Sequence, residues 1–212
     1  MAKHPLHHFI ALCCATLPLF ASAADAASAP ASEKIARGLL LQHAGRMIFT
    51  PCRERTYVQL EDTSPDQQLS AALVKLGLAE NKPLYVEFTG LAEADRLKVS
   101  WINFAHTDAR CQASANPDEK WRALGAAPDW TMHLSEQQVR LNEAGQPEFR
   151  HHEVVIAAGS ATVAITVGKE QPEQWQLTRQ LCRSQDKNSL FGWQAELRRP
   201  GKVLRGCAWQ GY

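Results

Sequence analysis

Cysteine is the residue type in this sequence with the clearest capacity for chemistry, because a thiol can form a disulfide, bind a metal or take part in redox exchange. Two of the six cysteines, Cys13 and Cys14, fall within an apolar N-terminal run. No two of the other four have a C-x-x-C spacing, which argues against a thioredoxin-like pair and a clustered zinc site. An even number of thiols in an exported chain predicts disulfides instead. These four are Cys52, Cys111, Cys182 and Cys207.

Four cysteines allow three connectivities. Nearness in sequence, together with a domain boundary between residues 112 and 119, favours Cys52 with Cys111 and Cys182 with Cys207. By the loop-entropy estimate each bridge would contribute ~3–4 kcal/mol to stability.

Histidine is the next residue type to weigh, because neutral imidazole is a common metal ligand. His151 and His152 are adjacent in a predicted strand, where successive side chains point to opposite faces, so the two cannot easily share one metal. His43, His106 and His133 lie in unrelated segments and could meet only through folding. We predict no metal and no cofactor. If a metal site does form, its candidate ligands are His106, His133, His151 and His152.

No catalytic motif is present in the sequence. The segment around Gly159 and Ser160 lacks the second glycine of a G-x-S-x-G nucleophile elbow and is better interpreted as a hairpin turn. Neither a phosphate-binding P-loop nor a dinucleotide-binding glycine pattern occurs, and the acidic residues are dispersed. We therefore predict that the protein is not an enzyme, with an envelope hydrolase as the least favoured alternative.

The N-terminus has the pattern of a secretory signal peptide. Lys3 precedes an apolar run over residues 9–20, which is followed by Ala21-Ser22-Ala23, a small-residue cleavage site. We expect a signal peptide over residues 1–23, a flexible Ala/Ser/Pro linker over 24–34, and no transmembrane segment in the mature protein. Leu12 before Cys13 does not fit lipoprotein processing, so a periplasmic or secreted protein is favoured over an outer-membrane lipoprotein.

Composition and charge narrow the range of partners. Lys plus Arg number 23 against 22 for Asp plus Glu, so neither nucleic acid nor an anionic membrane is an expected partner. The hydrophobic fraction of 45% and six tryptophans can build cores. The sequence does not identify a partner, and another envelope protein and a small ligand are the candidates that we retain.

Alternation of apolar and polar residues predicts a mainly β fold of two small antiparallel barrel-like or sandwich-like domains, residues 35–112 and 118–212. The first domain contains one predicted helix over residues 64–77. Ser64 and Gln67 have the spacing of a capping box, and Gly77 ends the apolar periodicity.

The predicted strands are short and separated by turn residues. Trp130, Trp175, Trp193 and Trp209 fall on the apolar side of their strands and are expected in the core, with Val203 and Cys207 on the same face as Trp209. The strands cover residues 46–50, 56–60, 84–89, 97–104, 130–134, 139–141, 149–157, 161–167, 175–181, 193–197 and 203–209.

Two parts of the sequence resemble known families. In the second half, residues 121–130 (WRALGAAPDW) resemble the F-x-A-x-G-x-E-P-x-W signature of an uncharacterised family of bacterial exported proteins, and Cys182 with Gly206-Cys207-Ala208 resembles that family's ending. Ala127 stands where the family has a glutamate. The resemblance implies an exported or lipoprotein-like domain without a known activity.

The first half is similar to the N-terminal domain of NlpE-type envelope lipoproteins. The matching pieces are the strand before Cys52, the helix after Ser64 and the strand over residues 84–90. Because the C-x-x-C of that family is absent, its metal and redox roles are not implied. The sequence thus predicts a non-catalytic periplasmic protein of the cell envelope with a binding or maintenance role. The alternative is a periplasmic sensor of a metal or small ligand.

Overall fold

A computed structural model describes residues 32–108, 110–111, 116–168 and 173–211. The predicted signal peptide, residues 24–31 of the predicted linker and residues 112–115 of the predicted domain boundary lie outside these ranges. Within the described part of the chain, no helix has the length and apolarity needed to cross a membrane.

The described chain is mainly β, as predicted, with one α-helix, α1 (Gln68–Leu76), and one 3₁₀ turn (Pro65–Gln67). The first half contains the strands β1 (Lys34–His43), β2 (Arg46–Pro51), β3 (Val58–Asp62), β4 (Leu84–Ala92) and β5 (Arg96–His106). The second half contains β6 (Trp121–Ala126), β7 (Asp129–Leu134), β8 (Val139–Glu143), β9 (Phe149–His151), β10 (Val154–Ala158), β11 (Thr162–Val167), β12 (Glu173–Arg183), β13 (Ser189–Arg199) and β14 (Lys202–Gln210).

Strands β1–β5 form a closed five-stranded barrel. Their order is β3-β2-β1-β4-β5, and a parallel pairing of β3 with β5 closes the ring. Alternate side chains of β4 point inward, so that Leu84, Val86 and Phe88 are fully buried, and α1 adds Leu69 and Leu73 to the same core. The alternation that predicted this strand therefore marks the face that packs in the barrel core, while Tyr85 and Glu87 on the opposite face are also buried.

The start of α1 differs from the predicted capping box. Ser64 adopts an extended backbone, and residues 66 and 67 have positive φ, so α1 begins only at Gln68. The carboxylate of Asp62 accepts hydrogen bonds from the backbone N–H and the hydroxyl of Ser70, at 2.8 and 2.6 Å. It also accepts from the Ser64 hydroxyl, whose oxygen accepts from the Leu69 N–H. The helix is thus capped from the end of β3.

Strands β6–β14 form an up-and-down meander in which β14 returns to pair with β6. The single strand predicted over residues 149–157 is instead two, because the chain changes partner at His152 and Glu153. Its first part, β9, pairs with β8, whereas its second part, β10, pairs with β11. The hairpin turn predicted at Gly159 and Ser160 is present, with the Gly159 N–H donating to the Thr162 carbonyl at 2.8 Å.

The core of the second half is built around tryptophans. Trp130, Trp175 and Trp193 are buried there, as predicted. On β14, however, the residues that face this core are Leu204 and Ala208, so Val203 and Cys207 lie on the opposite face and Val203 is 47% exposed. Trp209 also lies outside this core. It is partly buried against one aromatic ring from each half, with its ring 5.7 Å from Phe104 of β5 and 5.1 Å from Phe191 of β13.

The two halves share one hydrogen-bonded sheet. Residues 189–191 of β13 pair with β5, while the rest of β13 pairs with β14. The Asn103 side chain donates to the Gln210 carbonyl at 2.9 Å and accepts from the Gln210 N–H at 2.8 Å. The Arg37 guanidinium donates to the Gly211 carbonyl at 2.8 Å. The division into two domains stays a prediction.

Both predicted disulfides are present. Cys52 pairs with Cys111, and Cys182 pairs with Cys207, with Cα–Cα distances of 5.6 and 5.4 Å. The first links the end of β2 to the chain after β5. The second links β12 to β14, the two strands that flank β13. Two disulfides are compatible with an oxidising, exported compartment.

We predict that replacing Cys182 and Cys207 together with serine lowers the free energy of unfolding by about 3.5 kcal/mol, from the loop entropy of a 25-residue separation. The matched replacement of Cys52 and Cys111, separated by 59 residues, should cost about 4 kcal/mol. Urea unfolding of the oxidised proteins measures both. Stabilities equal to the wild type in either double variant would contradict the bridge concerned.

We also predict that Asp62→Ala lowers the free energy of unfolding by about 1 kcal/mol at pH 7, a typical value for a lost helix cap. Burial would raise the pKa of Asp62, but the hydrogen bonds from Ser64 and Ser70 outweigh it and hold the pKa below its ordinary value of 3.8. The stabilisation is therefore present above pH 3.8 and is lost as the pH falls through the lower, folded-state pKa.

Unfolding of wild type and Asp62→Ala should be compared at pH 7 and at about pH 2.5, below the usual carboxylate range. The difference in stability should shrink at the lower pH. A difference that is the same at both values would mean that the carboxylate charge does not contribute to the cap.

Candidate functional site

A cleft of about 570 Å³ lies on the outer face of the second-half sheet. This volume lies in the range of small-ligand sites. The cleft crosses β12, β13, β14 and β6, on the side of the sheet opposite the tryptophan core. It is lined by residues 124–127, 182–185, 194–196 and 205–207, together with Gln176, Thr178 and Arg198.

The strand register places the polar side chains of the cleft in rows. Gln176 of β12 lies opposite Glu196 of β13, which lies opposite Arg205 of β14. The next row holds Thr178 and Gln194. Because neighbouring strands are about 4.8 Å apart, each row places polar side chains of adjacent strands side by side at about that spacing.

A carboxylate between two arginines sets the charge at the centre of the cleft. Glu196 accepts a hydrogen bond from Arg205 Nε at 2.9 Å and another from Arg198. These bonds hold the pKa of Glu196 below its ordinary value of 4.5, and the bond from Arg198 has the larger effect. Burial opposes them with a smaller effect. The carboxylate therefore stays ionised at neutral pH and is unsuited to donate a proton.

A third arginine lies at one end of the cleft and is fixed in place by backbone carbonyls. Arg183 donates to the carbonyls of Lys75, in α1, and Lys187, at 3.1 and 3.0 Å. With Arg198 and Arg205 it gives three guanidinium groups against the single carboxylate of Glu196 among the described lining residues. The cleft therefore has an excess of positive charge.

A row of basic side chains continues the same face of the sheet beyond the cleft. Arg122, His133, Arg140 and Arg150 lie directly opposite one another on β6, β7, β8 and β9. The buried carboxylate of Glu119 contacts the first three, with His133 Nδ1 at 3.0 Å and Arg140 at 3.5 Å. Since like charges opposed across strands destabilise a sheet, Glu119 offsets part of a repulsion that would otherwise weaken it.

A second buried carboxylate, Glu143, links β8 to the turn of the β13–β14 hairpin. It lies at the end of β8 and is paired with Arg199 and Lys202. Burial would raise the pKa of Glu143, but the hydrogen bonds from Lys202 and Arg199 outweigh it and keep the pKa below its ordinary value of 4.5. Because its carboxylate is already paired with two cationic side chains, we interpret the role of Glu143 as structural.

The histidine candidates are dispersed over the fold. His106 Nδ1 accepts the N–H of Asp108 at 2.7 Å, and His133 contacts Glu119. His151 is half-buried at the end of β9 with its ring 5.1 Å from Phe149, and His152 is exposed after the strand. Among the described residues, no group of three or more His, Cys, Asp or Glu side chains could hold a metal ion.

Comparisons with known proteins place this chain in no established group. No protein-family model, curated protein or solved structure matches it. The resemblances to an exported-protein signature and to NlpE-type lipoproteins remain hypotheses carried by the residues quoted for them.

The arginines and the carboxylate of the cleft were not singled out from the sequence. A signal was present, because Gln194, Glu196 and Arg198 alternate with the apolar residues of β13 and so mark its solvent face. That Arg205 would lie opposite Glu196 could not be seen, since the pairing of β13 with β14 depends on the length of the turn between them.

We predict that the Glu196 carboxylate titrates below pH 4.5 in the wild-type protein, because both arginines donate to its ionised form. In the double variant Arg198→Gln, Arg205→Gln the pKa should move up toward the ordinary value. Carboxyl ¹³C chemical shifts followed against pH measure both, and Arg96→Gln, on β5, is the control. An unchanged Glu196 titration in the double variant would contradict the arrangement.

Proposed function

We propose that this chain is an exported, non-enzymatic binding protein of the cell envelope, and that the outer-face cleft takes a small anionic, hydroxylated ligand such as a sugar phosphate. The observation that carries the proposal is that three arginines and a single ionised carboxylate line one polar cleft, with two of the arginines paired to the carboxylate. The two disulfides support a location in an oxidising compartment.

Binding is favoured over catalysis by the state of the polar groups in the cleft. A general acid or base needs a pKa near the operating pH and an unoccupied position beside the substrate. Glu196 has its pKa lowered and is bonded to Arg198 and Arg205. The neighbouring Gln176 and Gln194 are amides, which recognise a ligand by hydrogen bonds without transferring protons.

The chemistry of the ligand follows from the donors. Guanidinium groups bind phosphate and carboxylate oxygens through paired N–H donors, which makes an anionic group the natural partner of Arg198 and Arg205. The side chains of Gln176, Thr178 and Gln194 supply amides and a hydroxyl that match hydroxyl groups on the remainder of the ligand. A neutral sugar would bind only to these amide and hydroxyl groups and would not use the arginines.

We predict that glucose 6-phosphate binds at least about tenfold more tightly than glucose, and that Arg198→Gln, Arg205→Gln removes most of this difference, since charge-assisted hydrogen bonds are the stronger ones. Two-dimensional NMR titration of the oxidised protein measures affinity and location together. Amide signals of β12, β13 and β14 should shift.

The control variant is Arg96→Gln, because Arg96 is also an exposed arginine paired with two carboxylates, Asp95 and Glu61, but lies in the first-half barrel. It should bind glucose 6-phosphate like the wild type. Equal affinity for both ligands, or an equal loss in both variants, would rule out the proposed cleft site.

A further inference from the structure

In the part of the chain that the structure describes, strand β10 forms a sheet edge without the features that usually prevent pairing with another strand. Among the described strands it is hydrogen-bonded to β11 alone. Val155 and Ile156 on it are 68% and 38% exposed. Edge strands of soluble proteins commonly carry a lysine, a proline or a bulge. Residues 154–167 contain no charged residue and no proline, and the β10–β11 register runs without a shift.

Hydrogen bonds at the two ends of the β10–β11 hairpin show which backbone N–H and C=O groups of β10 point away from β11. The Gly159 N–H donates to Thr162 at 2.8 Å, and the Glu153 carbonyl accepts from Gly168 at 3.0 Å, so residues 153 and 159 point toward β11. Since peptide groups alternate in direction along an antiparallel strand, the N–H and C=O groups of Val154, Ile156 and Ala158 point outward. Three consecutive outward positions form a template for another strand.

We propose that a second copy of this chain pairs with β10 in an antiparallel arrangement about a two-fold axis at Ile156. In that register Val154 lies opposite Ala158 of the second copy, and Ile156 lies opposite Ile156, so every outward donor meets an outward acceptor. An isologous contact of this kind joins the two sheets into one. The proposal does not depend on the cleft or its ligand.

A second copy fits this edge in charge as well as in register. The paired segments carry no charge, so neither repels the other. The nearest charged side chain is Glu153, which would lie opposite Gly159 of the second copy. The two Glu153 side chains would then be six residues apart along the paired strands, about 20 Å. This exceeds the screening length of about 8 Å at physiological ionic strength.

The contact is short, so we expect a dissociation constant on the order of tens of micromolar. Sedimentation velocity of the tag-free, oxidised protein from about 1 to about 200 μM brackets that value. The wild type should pass from monomer to dimer over this range.

Two edge variants test different parts of the contact. Ile156→Lys brings two like charges together at the two-fold axis. Ala158→Pro removes an outward N–H without removing a bond to β11, which is where proline is tolerated on an edge strand. Both should remain monomeric at every concentration, with circular dichroism and melting curves that show an intact fold.

The matched control is Ala164→Lys, which adds the same charge to the same hairpin but on β11, opposite Ala157 and away from the edge. It should dimerise like the wild type. A wild-type protein that stays monomeric overturns the proposal. The partner of this edge would then be a strand from a different protein. Dimers that persist in both edge variants, or that are lost in Ala164→Lys as well, overturn it too.

Discussion

Strand β13 is the element on which the rest of the structure depends, because backbone donors and acceptors of both halves are satisfied through it. Its first three residues bond to β5 of the five-stranded barrel, its remaining length bonds to β14, and its other edge bonds to β12. Gly192 sits at the change of partner. A Cβ there would lie 1.9 Å from the Ile102 carbonyl oxygen, so only glycine allows the two strands to approach this closely.

The outer face of the second-half sheet is polar for a related reason. One side of each strand packs on tryptophans, and the opposite side must therefore be satisfied by water, by ion pairs or by a ligand. Positively charged side chains outnumber negatively charged ones on this face. Arginines exceed carboxylates both in the cleft and in the row beside Glu119. The alternation of side chains that builds the tryptophan core therefore also gathers hydrogen-bond donors on the opposite face of the sheet.

Much of the fold follows from local patterns in the sequence. Leu84, Val86 and Phe88 alternate with polar residues and are buried, and Gly77 ends α1 with a positive φ, as its position after the apolar periodicity predicts. Strand β1 was missed because Leu39, Leu40 and Leu41 are consecutive and obscure its alternation. The start of the helix was misjudged because its cap, Asp62, lies outside the capping-box spacing and depends on β3 being in place.

The candidate site was less accessible to sequence reasoning. Solvent-facing positions on β13 can be recognised from the pattern, but their neighbours on β12 and β14 are fixed by pairing register, which no local pattern specifies. Pairing also explains the Gly206-Cys207-Ala208 motif. Gly206 lies against Trp130 where a Cβ would come within 2.8 Å, Cys207 is in a disulfide, and Ala208 is fully buried. Each residue has a packing or covalent role, whatever ligand the protein takes.

The bond between Arg37 and Gly211 has a consequence for how the chain reaches this structure. Its partners are 174 residues apart, and Asn103 reaches Gln210 across 107. Because such contacts close long loops, they form late and make folding slow. A chain that emerges N-terminus first would therefore hold the β5 side of the barrel, with Asn103 and Phe104, open until β13 and β14 follow. During that interval the ring of Phe104 lacks the contacts with Phe191 and Trp209 that cover it in the folded protein.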